Sequence, residues 1–175
     1  MIMPFAVFQK DIQRRTGWSY AVVRCLRSKE EAEIYIKAGL REAVIGGKVA
    51  LIRTDIDWAD YSIRRNTWLR DSTQQNLKDY DSWAQYNNAD LIGEGFPPRD
   101  RNGDPYELHH IGQMQDSPFA ELTWAEHMGE GNNTILHQAG KESEIDRAEF
   151  TKEKAEYWMA RFKAFTKAEL ERIYL

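Results

Sequence analysis

All four histidines of this 175-residue chain fall in one short stretch, at positions 109, 110, 127 and 137. Histidine suits two jobs: its neutral imidazole ligates divalent cations, and its near-neutral pKa lets it take a proton from water. Both jobs done within a few ångströms describe metal-assisted hydrolysis, with a cation countering developing charge and a base activating water. His109 and His110 are adjacent. Neighbours on a strand point to opposite faces, so the doublet serves one centre only where the strand ends or twists, and Gly112 offers that irregularity. Otherwise one histidine is buried and the other exposed. The bland alternatives elsewhere are a helix C-terminal cation for His127 and a capping or core residue for His137. Asn133 and His137 have the i, i+4 spacing that stacks two side chains on one helical face.

The elements that must position these residues are partly readable. Tyr106–Ile111 alternates as a strand leaving the turn Asn102-Gly103-Asp104-Pro105. Thr123 caps a short helix over Trp124–Met128, and Gly129 and Gly131 break the chain before Asn133–His137. A hairpin followed by helix can bring a strand-borne base and helix-borne ligands around one ion. Upstream, Trp18–Leu26 is helical in pattern, and Ser28-x-x-Glu31 is a capping box for a helix with Ala32, Tyr35 and Ile36 apolar, stopped by Gly39. Lys48–Arg53 reads as a strand entered through Gly46-Gly47, followed by Asp55 and Asp57 as turn formers. Asn66–Leu91 is polar, aromatic and weakly helical, and the loop Gly93–Pro98 marks an internal boundary. From Asp146 a long helix carries Ala155, Trp158, Met159 and Phe162 on one stripe, and Thr166-x-x-Glu169 caps a terminal helix. The expected class is α+β, mostly helical with a small antiparallel hairpin, divided into a helical elaboration over 1–98 and a catalytic module over 99–175 within one compact unit.

Composition sets outer limits. A 42% hydrophobic chain of this length can bury a core without staples, and the single cysteine, Cys25, cannot form an internal bridge and reads as a buried structural thiol. No run approaches the ~20 apolar residues of a membrane span, and the start MIMPFAVFQK lacks a basic n-region followed by an apolar stretch, so no signal peptide is expected. A net charge of −4 weighs mildly against nucleic-acid binding, although a local basic patch with a cation can outweigh it. Arg99, Arg101, Lys141, Arg147, Lys152 and Lys154 flank the histidines and could follow a phosphate backbone, while Trp124 and Trp158 are expected in the core.

At these residues the sequence resembles the toxin-type nucleases of the HNH/endonuclease VII superfamily whose signature is Leu-His-His. The resemblance is carried by Asn102–Gln113 with Leu108-His109-His110, by Ser117–His127, and by Gly131–His137. Weaker similarity runs through Lys141–Arg147 to Tyr157-Trp158, and upstream through Arg15–Trp18, Glu30–Tyr35 and Ala38–Leu40, with Arg65–Asn88 as an insertion. The resemblance implies a ββα-metal (His-Me finger) core with added N-terminal and C-terminal helices. It implies one divalent ion (Zn, Ni or Mg), His110 as general base, and His109, His127 and His137 as ligands. Asn133 or Glu121 would orient His110. Colicin-type members place their last two histidines four residues apart, whereas His127 and His137 are ten apart, so Asn133 with His137 is the alternative pair. The implied activity is endonucleolytic hydrolysis of DNA with little sequence preference, by a delivered bacterial effector acting in the target-cell cytoplasm and neutralised by an immunity protein. The competing readings are a non-catalytic zinc-stabilised protein-binding domain, motivated by the acidic charge, and a metal-dependent RNase.

Overall fold

Gly46 and Gly47, at φ 60° and 80°, turn β1 (Arg41–Ile45) back into β2 (Lys48–Ile52), with Ile45 opposite Lys48. A two-residue turn of this hand needs positive φ at both central positions, which glycine adopts without a Cβ penalty. A second antiparallel pair, β3 (Glu107–His110) and β4 (Phe119–Leu122), sets Glu107 opposite Leu122 and His110 opposite Phe119. The two pairs join where β4 runs parallel to β2 at Leu51 and Ala120, giving the order β1-β2-β4-β3. The structure is a computed structural model and describes residues 3–61, 85–129, 131–137 and 147–175, without the Arg147 side chain.

This sheet differs from the small hairpin expected. The Asn102–Pro105 turn forms, closed by the Gly103 N–H on Asp100 O, but it ends in an isolated bridge between Arg99 and Pro105. The hairpin partner of β3 therefore lies downstream, as β4, beyond a 3₁₀ turn at Ile111–Gln113.

Helices α1 (Val7–Thr16), α2 (Tyr20–Val23) and α3 (Lys29–Lys37) precede the sheet. Ser28 caps α3 by accepting the Glu31 N–H, but the expected box is only half made, because the Glu31 carboxylate accepts from the Arg27 N–H and the Tyr35 O–H instead of from the Ser28 N–H. The pattern over Trp18–Leu26 yields only the single turn of α2, because Arg24 and Cys25 fall in a turn before the α3 cap. α4 (Asn88–Gly93) follows, capped by Asn87. After β4 come α5 (Trp124–Met128) and α6 (Asn132–Leu136), then α7 (Arg147–Lys163) and α8 (Lys167–Tyr174). Thr123 caps α5 as expected and adds a reciprocal box with Glu126, and the predicted box Thr166/Glu169 also forms, each satisfying two helix-end N–H groups. The expectations placed on residues 66–84, on Lys141 and on a helix start at Asp146 lie outside the described residues.

Two compact units result, each drawn from two stretches of sequence: residues 1–54 with 107–150, and residues 55–106 with 151–175. The first holds the sheet around Ile12, Val22, Val23, Tyr35, Leu51, Ile111, Leu122 and Leu136, all 1% exposed or less. Cys25 is buried there as expected, and burial raises its thiol pKa. In the second unit, Trp58 stacks edge-on against Phe165 and lies under the Arg161 guanidinium, while buried Asn88 bridges Asp57 O and Arg99 O. Its α7 stripe runs through Tyr157, Trp158 and Arg161. Met159, expected inward, is 37% exposed. The fold is α+β, a small sheet with several helices, as the sequence predicts.

Candidate metal centre

Strand alternation divides β3 into two faces. Glu107 and His109 share one, and Leu108 and His110 the other. On the first face His109 meets the helices that follow the hairpin. α5 is held at its start by Thr123, whose Oγ1 accepts the Glu126 N–H while Glu126 Oε1 accepts the Thr123 N–H. Glu126 also pairs with the buried Arg53 guanidinium at the end of β2, fixing α5 against the sheet. His127 follows on the next residue. α6 is anchored by buried Leu136 and delivers His137 at its C-cap.

The rings of His109, His127 and His137 lie 4.9–5.0 Å apart by centroid. One ring nitrogen from each lies within 4.8 Å of the other two. His127 Nδ1 is 2.7 Å from Glu107 Oε1, and His137 Nδ1 is 3.0 Å from the backbone carbonyl of Asn133. A carbonyl can only accept, so His137 carries its proton on Nδ1 and presents a lone pair on Nε2; an ionised Glu107 orders His127 the same way. The two Nε2 atoms then face each other 3.3 Å apart. Two facing lone pairs repel, but nitrogens at about 2.0–2.1 Å from a tetrahedral cation stand ~3.3 Å apart. His109 Nε2 is buried and makes no hydrogen bond, and its ring is the one that meets His127 and His137, so this nitrogen is available to a shared ligand. Burial, then the neighbouring histidines and Arg27, pushes the His109 pKa well below its usual value, so the ring is neutral and able to ligate. The donor set fits a borderline divalent cation. His127 and His137 are only partly buried, leaving one side of the group accessible.

His110 faces away from this group, between the rings of Phe119 (4.5 Å) and Phe150 (4.7 Å). Burial foremost, and Lys48 second, bring its pKa to about 4 against a smaller opposing effect of Asp116, so it too is neutral at physiological pH. The doublet thus follows strand alternation, yet both members are buried, at 4% and 2% exposure, where a buried and an exposed histidine were the plain expectation.

Of the residues proposed from sequence, the fold brings His109, His127 and His137 together. Asn133 is exposed at its side chain and meets the group through its carbonyl. Glu121 is fully buried on β4, where its Oε1 accepts the Arg53 N–H at 2.9 Å. Arg99, expected on phosphate, is buried in the other unit with its guanidinium on Gly103 O. Arg101 and Lys152 are exposed and Lys154 is half-buried, whereas Lys141 and the Arg147 side chain lie outside the described residues. Trp158 packs inside as expected, but Trp124 is 57% exposed, because it opens α5 on the face turned from the core. Sequence reasoning missed Glu107. Its signal was present in the i, i+2 relation to His109, which puts a carboxylate on the same strand face.

Residues 87–164, a little under half of the chain, match the family model described as LHH, a nuclease of the HNH/ENDO VII superfamily with conserved LHH. No curated protein and no solved structure matches the chain. The matched segment contains Leu108-His109-His110, the supporting carboxylate Glu107, and both helix-borne histidines. Over residues 87–164 the chain is thus similar to the LHH nucleases of the HNH/ENDO VII superfamily.

Proposed function

We propose that the chain is a metal-dependent endonuclease that hydrolyses DNA phosphodiester bonds with little sequence preference. The observation that carries the reading is the convergence of His109, His127 and His137, with the buried His109 Nε2 left for a ligand. Three nitrogen ligands with an accessible side suit a catalytic site, which keeps a coordination position open, better than a closed four-ligand structural site. The three histidines would hold the cation, and Glu107 and the Asn133 carbonyl fix the tautomers of His127 and His137. A bound divalent cation would act as a Lewis acid at the phosphate and counter the charge on the departing 3′ oxygen. On the family resemblance we assign the base to His110, which would take the proton from the attacking water as its oxygen bonds to phosphorus and the bond from phosphorus to the 3′ oxygen breaks; its ring lies between Phe119 and Phe150, turned from the three histidines, so it must swing toward them to do so. Its lowered pKa, about 4, keeps the ring neutral at physiological pH.

Incubating the purified chain with plasmid DNA in Mg²⁺, Ni²⁺ or Zn²⁺, with and without EDTA, tests this reading. Metal-dependent nicking is expected, and His110→Ala should cost ~10²–10⁴-fold in rate while binding metal normally. Wild-type cutting by that variant removes His110 from the mechanism. Chelation that unfolds the protein, with no cleavage in any metal, would establish a structural centre instead. An RNA substrate in parallel decides between the nucleic acids. We further propose, on the family resemblance, that the chain serves as the warhead of a delivered bacterial toxin acting in the target-cell cytoplasm. A cognate immunity protein would bind and inhibit it in the producing cell. Among the described residues no helix is long and apolar enough to cross a membrane.

A further inference from the structure

Glu31 sits on α3, eighty-one residues before Gly112, and is 2% exposed. Its carboxylate turns into the protein: Oε2 accepts the Gly112 N–H at 2.7 Å and the Tyr35 O–H at 2.6 Å, and Oε1 accepts the Arg27 N–H at 2.8 Å. Gly112 stands two residues beyond His110, at φ 72°, and Gln113 follows at φ 56°, so β3 ends here in two successive left-handed residues. The backbone passes so close to Cys25 that a Cβ on Gly112 would lie 2.1 Å from its carbonyl oxygen. The same turn is gripped a second time, since the Arg27 guanidinium reaches Gln113 Oε1 at 3.3 Å.

We propose that Glu31 is a positioning residue for the His109 and His110 pair, setting through the Gly112 amide the point at which the strand stops and the rings are aimed. The inference rests on the roles assigned to those histidines above. It is separable from them, because the aim of two rings can be read without metal or DNA. Loss of the carboxylate leaves a buried N–H on Gly112 without an acceptor, and the turn must shift to find one.

The test compares the full-length, metal-free wild type with Glu31→Ala, Glu31→Gln and Tyr35→Phe, each below its unfolding midpoint. The readouts are the ring ¹⁵N resonances of His109 and His110 and then the affinity for Co²⁺. Glu31→Ala should move both pairs of resonances and weaken Co²⁺ binding about tenfold. Glu31→Gln, which keeps one acceptor oxygen, should do both to a smaller degree. Tyr35→Phe keeps the carboxylate on Gly112 and should leave both readouts unchanged. A residue that merely holds the fold together would lower the unfolding midpoint and leave the rings where they are. Wild-type ring resonances in folded Glu31→Ala, or in Glu31→Gln if the alanine variant does not fold, overturn the proposal. A wild type that fails to nick DNA counts against the nuclease reading alone and leaves this comparison intact.

Discussion

Glu107 contributes no nitrogen to the cation, yet its removal should be felt there. Its carboxylate is 2.7 Å from His127 Nδ1 and part-buried with it, so it fixes both the tautomer and the plane of the ring. Partners of this kind are typically worth ~10–100-fold in metal affinity. Glu107→Ala should therefore weaken Zn²⁺ or Co²⁺ binding by about that factor in a competition titration, and Glu107→Gln, whose amide oxygen still accepts from Nδ1, by less. Equal affinity in all three proteins would show that His127 is oriented by packing alone. The two histidines of the doublet make a contrasting pair. Ala at 109 removes a ligand and should abolish metal binding with activity, whereas Ala at 110 should leave binding and remove turnover.

The short helix α5 carries its histidine in its last turn, and five residues cannot hold a helix by propensity. Its geometry is set by the Thr123/Glu126 box and by Arg53. Thr123→Ala should lower stability by about 1 kcal/mol and also weaken metal binding, with Thr123→Ser restoring both; urea unfolding and metal titration measure the two effects. If stability falls without a change in affinity, α5 is held by Arg53 rather than by its cap. The caps at Ser28, Thr123 and Thr166 were legible because an N-cap is a local chemical event between residues three apart. Other elements were not. Residues Val7–Thr16 are mostly charged or amide side chains, with only Ile12 fully buried, so α1 shows no apolar stripe. In β4 all four residues are buried, Glu121 among them, which removes the alternation that announces a strand. The clustering of His109, His127 and His137 was legible in number but not in geometry. Their meeting depends on β4 as the partner of β3, and on an acid at 107 that only the strand's parity makes relevant.

Over the whole molecule, a cation bound by the folded triad and not by the unfolded chain adds stability as the logarithm of its concentration. At a hundred times Kd the gain is about 2.7 kcal/mol. The unfolding midpoint should rise with added Zn²⁺ or Co²⁺ and fall back on chelation, and calorimetry of His127→Ala should show no such rise. Acid-base behaviour has a second handle in Glu31, whose carboxyl is raised above its ordinary value, burial outweighing its hydrogen bonds. The unfolded chain releases this proton near pH 4.5 and the folded chain only at higher pH. Between those values the folded state holds more protons, so stability falls as pH rises through the window and then levels. In EDTA, wild type should show that decline in urea unfolding above pH 4.5 relative to Glu31→Gln. Parallel curves for the two proteins would show that Glu31 titrates normally.

The pairing of β4 with β2 at Leu51 and Ala120 has a consequence in time. It closes a long excursion of chain, and closures of that kind are entropically costly and slow. His109 lies on β3, whose antiparallel partner is β4, and β4 in turn pairs with β2. In a chain made from its N-terminus, the three histidines of the group are all present only after residue 137 has been made. On the proposed reading, the full ligand set, and with it metal-dependent cutting, belongs to the completed fold alone.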